Sequence, residues 1–251
     1  MTGATDQTRT RTAVVTGATG GMGRAIAKRL AQAGFDVAVA HSAAGTSKAE
    51  NLIGELRDTG RRALAVAADV SDEPAVNDLF EAVESGLGQP DVVVHTAAIN
   101  RAAPLVDLDL ADFDEIQRVN VRGTFVVDQQ AARRLRAGGA IVNVASTTIR
   151  LAPPALSAYT ASKAAVAALT RILAKELRDR DITVNAVAPG PTRTGAFLAA
   201  TGEDERRQLA DLSPLGRLGT PEDIAEVVCF LAGPSGRWIN GQVLHANGGV
   251  I

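Results

Sequence analysis

The chain contains one tyrosine, Tyr159, and a lysine, Lys163, stands four residues after it. Side chains four apart on an α-helix project from the same face, so a helix here would bring a phenol and an ammonium together. A phenol ionises near pH ~10, and an adjacent positive charge stabilises the phenolate and moves that value toward neutrality. A tyrosine tuned in this way exchanges a proton with a substrate oxygen at physiological pH. Such a pair alone is common on helix surfaces. Here it is the chain's only tyrosine, and Ser146, just beyond the apolar run 140–144, offers a hydroxyl that can meet the same oxygen.

A second chemical feature is the turn Thr16-Gly17-Ala18-Thr19-Gly20-Gly21-Met22-Gly23, which follows a β-branched run and opens a helical pattern. Glycines at 17, 21 and 23 let the backbone turn sharply and approach a pyrophosphate, while the helix start supplies free N–H groups and a partial positive charge. The spacing GxxxGxG differs from the GxGxxG of the general dinucleotide fingerprint.

Apolar runs at 12–16, 36–40, 63–67, 91–95, 140–144, 182–187 and 243–246 alternate with helical patterning at 22–33, 47–59, 74–85, 111–136, 155–178 and 221–231. Most of the runs are continuously apolar, as strands covered on both faces require. The expected fold is α/β: one Rossmann-type domain over 11–251, with a doubly wound parallel sheet of about seven strands and helices on both faces, after a disordered tail at 1–10. Pro74 and Pro221 suit first helical turns, capped by Ser71-Asp72 and Thr220. The stretch 189–218 fits no element and reads as a mobile excursion beside an active site. Cys229 lies in an apolar run and is expected to be a buried, inert thiol. The formal net charge of −2 gives no reason to bind nucleic acid or an anionic membrane, and no apolar run suffices for a membrane span, so the expected location is cytoplasmic. His41 and His245 have no acidic or thiol neighbours at ligand spacing, so no metal is expected.

In order along the chain, the glycine turn, Asp69-Val70, Ile141-Val142-Asn143-Val144 before Ser146, the Tyr159/Lys163 pair, Val184-Asn185 before Pro189-Gly190, and Asn247-Gly248-Gly249 resemble the short-chain dehydrogenase/reductase family from about Thr12 onward. The resemblance implies a tetrad of Asn120, Ser146, Tyr159 and Lys163. Ser146 would hold a substrate carbonyl and Tyr159 would protonate it. Lys163 would bind the nicotinamide ribose and lower the tyrosine pKa, and Asn120 would anchor a water relay to Lys163. Judged only by its helical pattern, Asn120 reads as a polar residue facing solvent. The resemblance further implies cofactor contacts from Gly17, Thr19, Gly20, Gly21, Met22 and Gly23, from Asp69 and Val70 on the adenine, from Pro189-Gly190 around the nicotinamide, and from Thr192 or Thr194 on its carboxamide. Where the family shows Asn-Asn-Ala-Gly, this chain has His95-Thr96-Ala97-Ala98. Thr96, Ala97 and Ala98 would still border the cofactor, and His95 is expected to be structural.

An acidic residue ending the second strand binds ribose hydroxyls and repels a 2′-phosphate. Here that place holds His41 and Ser42, with no carboxylate before Glu50 and with Thr46, Ser47 and Lys48 nearby, so NADP(H) is favoured over NAD(H). The arginines that NADP-using relatives often place at Gly20 and Ser42 are missing. Segment 215–223 resembles bacterial 3-oxoacyl-[acyl-carrier-protein] reductases of fatty acid biosynthesis, which implies a ketone substrate on acyl-carrier protein. Arg118, Arg122, Arg133, Arg134 and Arg136 are candidates for docking that acidic partner. A dehydrogenase of another small alcohol, sugar, polyol or steroid using NAD(H), and a non-catalytic dinucleotide sensor, remain open. The family also implies a homotetramer pairing 111–136 and 155–178 with their copies; the small side chains of Ala164, Ala165, Ala167 and Ala168 permit close helix approach.

Overall fold

Strand β1 (Thr12–Thr16) reads Thr-Ala-Val-Val-Thr and is buried along its whole length, as are β2 (Asp36–His41), β4 (Val92–His95), β5 (Ala140–Val144) and β6 (Thr183–Pro189). Strands so uniformly apolar need cover on both faces. The computed structural model, which describes residues 9–251, supplies it. With β3 (Ala63–Ala67) and β7 (Val243–Ala246) these strands form one parallel sheet, ordered β3-β2-β1-β4-β5-β6-β7. The order reverses between β1 and β4, which opens a crevice at the C-terminal strand ends, the usual ligand position in such sheets.

Helices α1 (Gly21–Gln32), α2 (Thr46–Arg57) and α10 (Pro221–Ala232) bury Ile26, Leu30, Leu52, Ile224 and Val228 against one face. On the other, α3 (Glu73–Gly86), α5 (Gly123–Arg134) and α7 (Ser157–Glu176) bury Phe80, Val127 and Ala174. Thr220 caps α10 in a reciprocal capping box with Asp223, as its sequence implies. At α3 the cap residue is Asp72, whose side chain makes no cap bond, while Ser71 turns back to Asp69.

Several expectations are corrected. The segment 111–136 is not one helix. It is α4 (Leu110–Gln117), a π-helical turn at Arg118–Arg122, and α5, ending at Arg134. The π turn rotates Asn120 inward until it is wholly buried, so it does not face solvent. The segment 155–178 begins as a helix only at Ser157, because Ala155 adopts a left-handed φ of 63°; a single turn, α6 (Thr148–Leu151), precedes it. The stretch 189–218 contains α8 (Gly195–Ala200), capped by Thr194, and α9 (Glu203–Asp211), a polar helix with no buried residue and hence no apolar stripe to read. Of the tail expected at 1–10, residues 1–8 lie outside the described residues, and Arg9 makes an ion pair with Asp91. Cys229 is half-exposed, not buried, and partial desolvation raises its thiol pKa.

The proposed docking arginines are mostly engaged by their own chain. Arg118 pairs with Asp69 at 2.8 Å and Glu115 at 2.7 Å, and Arg122 donates to Ser71 O at 2.8 Å. Arg134 donates to Glu84 at 2.8 Å and Asn77 at 2.6 Å, and Arg136 to Gln89 O at 3.4 Å. Arg118, Arg122 and Arg133 are exposed, but carboxylates of the same chain neutralise Arg118 and Arg134, so the face is less positive than the five arginines alone suggest.

One charge inside the core affects stability. Asp128 on α5 is buried and accepts a 2.9 Å bond from Asn143 Nδ2, leaving its Oδ1 without a partner. Burial raises its pKa to about 7, against the opposing effect of the Asn143 bond. A carboxyl with a folded pKa above its unfolded value binds more protons in the folded state, so stability falls as pH rises between the two. Thermal denaturation should show wild type losing stability from about pH 4 to about pH 7 relative to Asp128→Asn, by at most on the order of 4 kcal/mol. A difference between the two proteins that is flat across this range would contradict the assignment.

Candidate active site

Tyr159 and Lys163 lie one turn apart on α7, as their spacing requires. Lys163 is 3% exposed, and its Nζ donates to Val144 O at 2.7 Å and lies 5.8 Å from the Tyr159 ring centre. Burial lowers the lysine pKa to about 8. Part of the Tyr159 ring reaches solvent, but its hydroxyl is desolvated, and this raises its pKa despite an opposing hydrogen bond from Ser146. Desolvation sets the direction, with Ser146 and not Lys163 opposing it, so the expected lowering by lysine is not found. Ser146 follows β5 and is itself bonded by Thr148, through N at 3.2 Å and Oγ1 at 3.0 Å. The two hydroxyls face the same point at the C-terminal edge of the sheet, and Lys163 is buried beside them.

Asn120 reaches this group indirectly. Its Oδ1 accepts from Ile99 N at 2.8 Å, and its Nδ2 donates to Ile99 O at 2.9 Å and Ser162 Oγ at 3.0 Å. Ser162 in turn donates to Tyr159 O at 2.7 Å. Asn120 thus clamps the segment after β4 onto α7, its side-chain hydrogen bonds going to Ile99 and Ser162 while the Lys163 Nζ bonds to Val144 O. Sequence reasoning missed Ser162 and Thr148. Ser162, three residues after Tyr159, stands where a helical serine bonds back to the preceding turn; Thr148 had no comparable signal.

At the other side of the crevice, Gly20 is the N-cap of α1 and no side chain caps that end, so its first N–H groups are available to an anion. Gly17 has a φ of 65°, and a Cβ there would lie 2.7 Å from Ala97 N. A Cβ on Gly23 would collide with Gly17 O and lie 2.8 Å from Thr96 Oγ1. Thr96 also donates to Thr16 O at 2.6 Å, so Thr96 and Ala97 hold the turn from behind, while Ala98 is exposed. Gly21 abuts Thr194, which brings the segment after β6 up to the glycine turn. Gly190 packs on Asn247, and Thr192 Oγ1 donates to Gly190 O at 2.8 Å. Met22 packs partly buried on the core.

Thr19 meets Gly45 just beyond β2, with Ser42 exposed beside them. His41 is buried, its Nδ1–H donating to Ser42 O at 2.9 Å. Asp69 is occupied by Ser71 and Arg118, and Val70 packs beside Gly123. The arrangement combines a hydrogen-bonded serine and tyrosine hydroxyl pair, chemically able to exchange a proton, and a helix start whose first N–H groups no side chain caps, which could receive an anion.

A family model described as enoyl-(acyl carrier protein) reductase matches residues 17–251. A chloroplastic NADPH-dependent aldehyde reductase-like protein of Arabidopsis thaliana is 38% identical over 255 residues, covering 96% of this chain and 94% of that one. A 3-oxoacyl-[acyl-carrier-protein] reductase of Staphylococcus aureus is 37% identical over 243 residues, covering 96% and 98%. Among solved structures, a short chain dehydrogenase from Burkholderia cenocepacia in complex with NADP has a TM-score of 0.89 and 41% identity, covering 96% of this chain and 97% of that one.

The contacts around Gly23 give a direct test of the crevice. Gly23→Ala drives a methyl into Gly17 O, so the folded variant should bind a dinucleotide at least about tenfold more weakly, on the scale of one lost anion contact. Titration followed by nicotinamide fluorescence checks this; unchanged affinity would place the dinucleotide elsewhere.

Proposed function

We propose that this chain, which belongs to the short-chain dehydrogenase/reductase family of oxidoreductases, reduces a ketone with NADP(H), a 3-oxoacyl thioester being the preferred substrate. The observation that carries the reading is the Ser146 and Tyr159 hydroxyl pair beside buried Lys163, facing the crevice that the glycine turn borders.

The residues present fit a dinucleotide. The α1 N-terminus is uncapped, the turn that leads into it has no space for side chains at Gly17 and Gly23, and no carboxylate follows β2 before Glu50. Gly20 to Gly23 would hold the pyrophosphate, Thr19, His41 and Ser42 the 2′-phosphate side, and Pro189, Gly190, Thr192 and Thr194 the nicotinamide end. When bound, NADPH supplies the hydride. Ser146 Oγ–H donates to the carbonyl oxygen and orients it, and Tyr159 gives that oxygen its proton. Desolvation keeps the phenol protonated at neutral pH, which suits the reductive direction. The phenolate left behind is stabilised by the Lys163 ammonium, present below about pH 8.

The thioester substrate and an acyl-carrier partner are supported by the Staphylococcus aureus relative. The Arabidopsis thaliana relative, named for aldehyde reduction, supports a second reading in which a small free aldehyde or ketone is taken. We also infer a homotetramer built on α4, α5 and α7, because Leu110 and Phe113 on α4, Phe125 on α5 and Ile172 on α7 are exposed apolar side chains.

Tyr159→Phe keeps the ring and removes the proton donor. Cofactor affinity should hold while turnover of an acetoacetyl thioester falls roughly 10²–10⁴-fold; retention of more than about a tenth of wild-type turnover would remove Tyr159 from the mechanism. His41→Asp places a carboxylate beside the 2′-phosphate position and should reduce kcat/KM with NADPH far more than with NADH. Equal losses with the two cofactors would mean that the 2′-position lies elsewhere. Light scattering at micromolar concentration should return four copies of the 25.9 kDa chain, and a monomer would overturn the assembly.

A further inference from the structure

The mechanism leaves one buried imidazole unexplained. His95 ends β4 at 2% exposure, and its Nδ1 lies 2.8 Å from Thr16 Oγ1. Its Nε2 is buried and has no hydrogen-bond partner. Buried polar nitrogens are rarely left unmatched, since each forfeits its hydration. Register places His95 beside Asn143 of β5, one residue before Val144, whose carbonyl accepts from Lys163 Nζ. Burial and the charge of Lys163 both act against protonation of the imidazole and lower its pKa to about 3, so the ring is neutral at every working pH. A neutral imidazole has one N–H and one lone pair. If Nδ1 carries the proton and donates to Thr16, the lone pair is on Nε2.

We propose that His95 is a positioning residue for Lys163: its Nδ1–H is tied to Thr16, and its Nε2 lone pair is presented to the lysine ammonium, which it helps to hold charged and in place beside Tyr159. The inference rests on the reading of Tyr159 and Lys163 given above and adds a residue to it. Lys163 has a strong acceptor in Val144 O, but one neutral carbonyl is little compensation for a buried ammonium. An imidazole lone pair is an additional source of negative potential. The charged group acting on the imidazole is Lys163 from α7, and Asn143, its neighbour in register on β5, is bonded to Asp128 of α5. β1 and β5 contribute the neutral Thr16 and Asn143, and the π turn contributes Asn120.

The first test needs no turnover. Long-range ¹H–¹⁵N correlation spectra of the labelled protein resolve the tautomers of its three histidines, with His95 assigned by its loss in His95→Asn. A proton on Nδ1 and a bare Nε2 throughout pH 6–8 is expected; an Nε2–H tautomer, or an imidazolium at pH 6, overturns the proposal. The second test is the pH profile of kcat for acetoacetyl-thioester reduction with NADPH. His95→Asn retains a polar group near the Nδ1 position and removes Nε2, so the alkaline fall in kcat should move roughly one pH unit toward acid, with KM changed less than about twofold. His95→Gln, whose longer amide reaches the Nε2 position, should restore most of the shift. If both variants keep the wild-type profile, or both shift equally, His95 is only a strand contact and the proposal fails. Should neither variant fold, the tautomer measured in the wild-type protein still decides. Activity surviving in Tyr159→Phe would sink the functional reading instead, and the tautomer measurement would stand apart from it.

Discussion

Lys163 carries an ammonium into the protein interior at 3% exposure, with one carbonyl within hydrogen-bond reach. Withdrawing such an ion from water costs several kcal/mol unless partners compensate, and its lowered pKa, to about 8, expresses that cost. The site depends on meeting this constraint. An exposed lysine would be screened by water and would do little for a phenolate. A buried one acts at close range in a medium of lower dielectric constant, where the same charge is worth more. The surrounding fold keeps it buried: Val144 O receives the Nζ from below, α7 fixes its root, and the clamp from Asn120 through Ser162 prevents α7 from moving away from the segment after β4.

That clamp explains the π turn at Arg118–Arg122. A regular α-helix from α4 into α5 would point the side chain at 120 elsewhere, and the extra residue per turn re-aims it into the core. The local departure from ideal hydrogen bonding is offset by three side-chain bonds from one asparagine. The glycine turn follows similar logic on the opposite side of the crevice. Thr96 and Ala97 press on it so closely that Gly17 and Gly23 have no space for a Cβ, so the backbone of the turn is held in shape by the two residues that follow His95. The Asn120 clamp and the glycine turn therefore both rest on the segment that follows β4.

Much of this was legible in the sequence. Strands buried on both faces produce continuous apolar runs, and four strands were delimited to the residue; the others differ by one or two residues at an end. The Tyr159 and Lys163 spacing defined their shared face because helical geometry leaves little alternative. What the sequence did not disclose depended on tertiary contacts. The polar α9 packs no stripe, so periodicity had nothing to detect. Asn120 looked solvated because helical phase counts residues and cannot register one inserted into a π turn. Arg118 and Arg134 looked like part of a basic face because their partners, Asp69 and Glu84, are distant in sequence. The direction of the Tyr159 shift was also misjudged, since spacing reveals the lysine but not the desolvation that sets the phenol's pKa.

The same distinction separates catalysis from cofactor choice in this chain. The proton-transfer residues are fixed by buried bonds, whereas the region after β2 is set mainly by what is absent from it. His41 turns its Nδ1–H to its neighbour's carbonyl, Ser42, Thr46, Ser47 and Lys48 are exposed, and no carboxylate intervenes. A 2′-phosphate brought there meets hydroxyls and one flexible cation, and no opposing charge. Exposed contacts of this kind contribute little individually and are weakened by salt. The removal of repulsion is worth more than any of them, because a carboxylate facing a phosphate across a few ångströms would be penalised with either partner's hydration intact. Preference for the phosphorylated cofactor can thus arise without a dedicated arginine, provided that the strand end remains neutral, and a short polar His-Ser pair after an apolar strand is sufficient to keep it so.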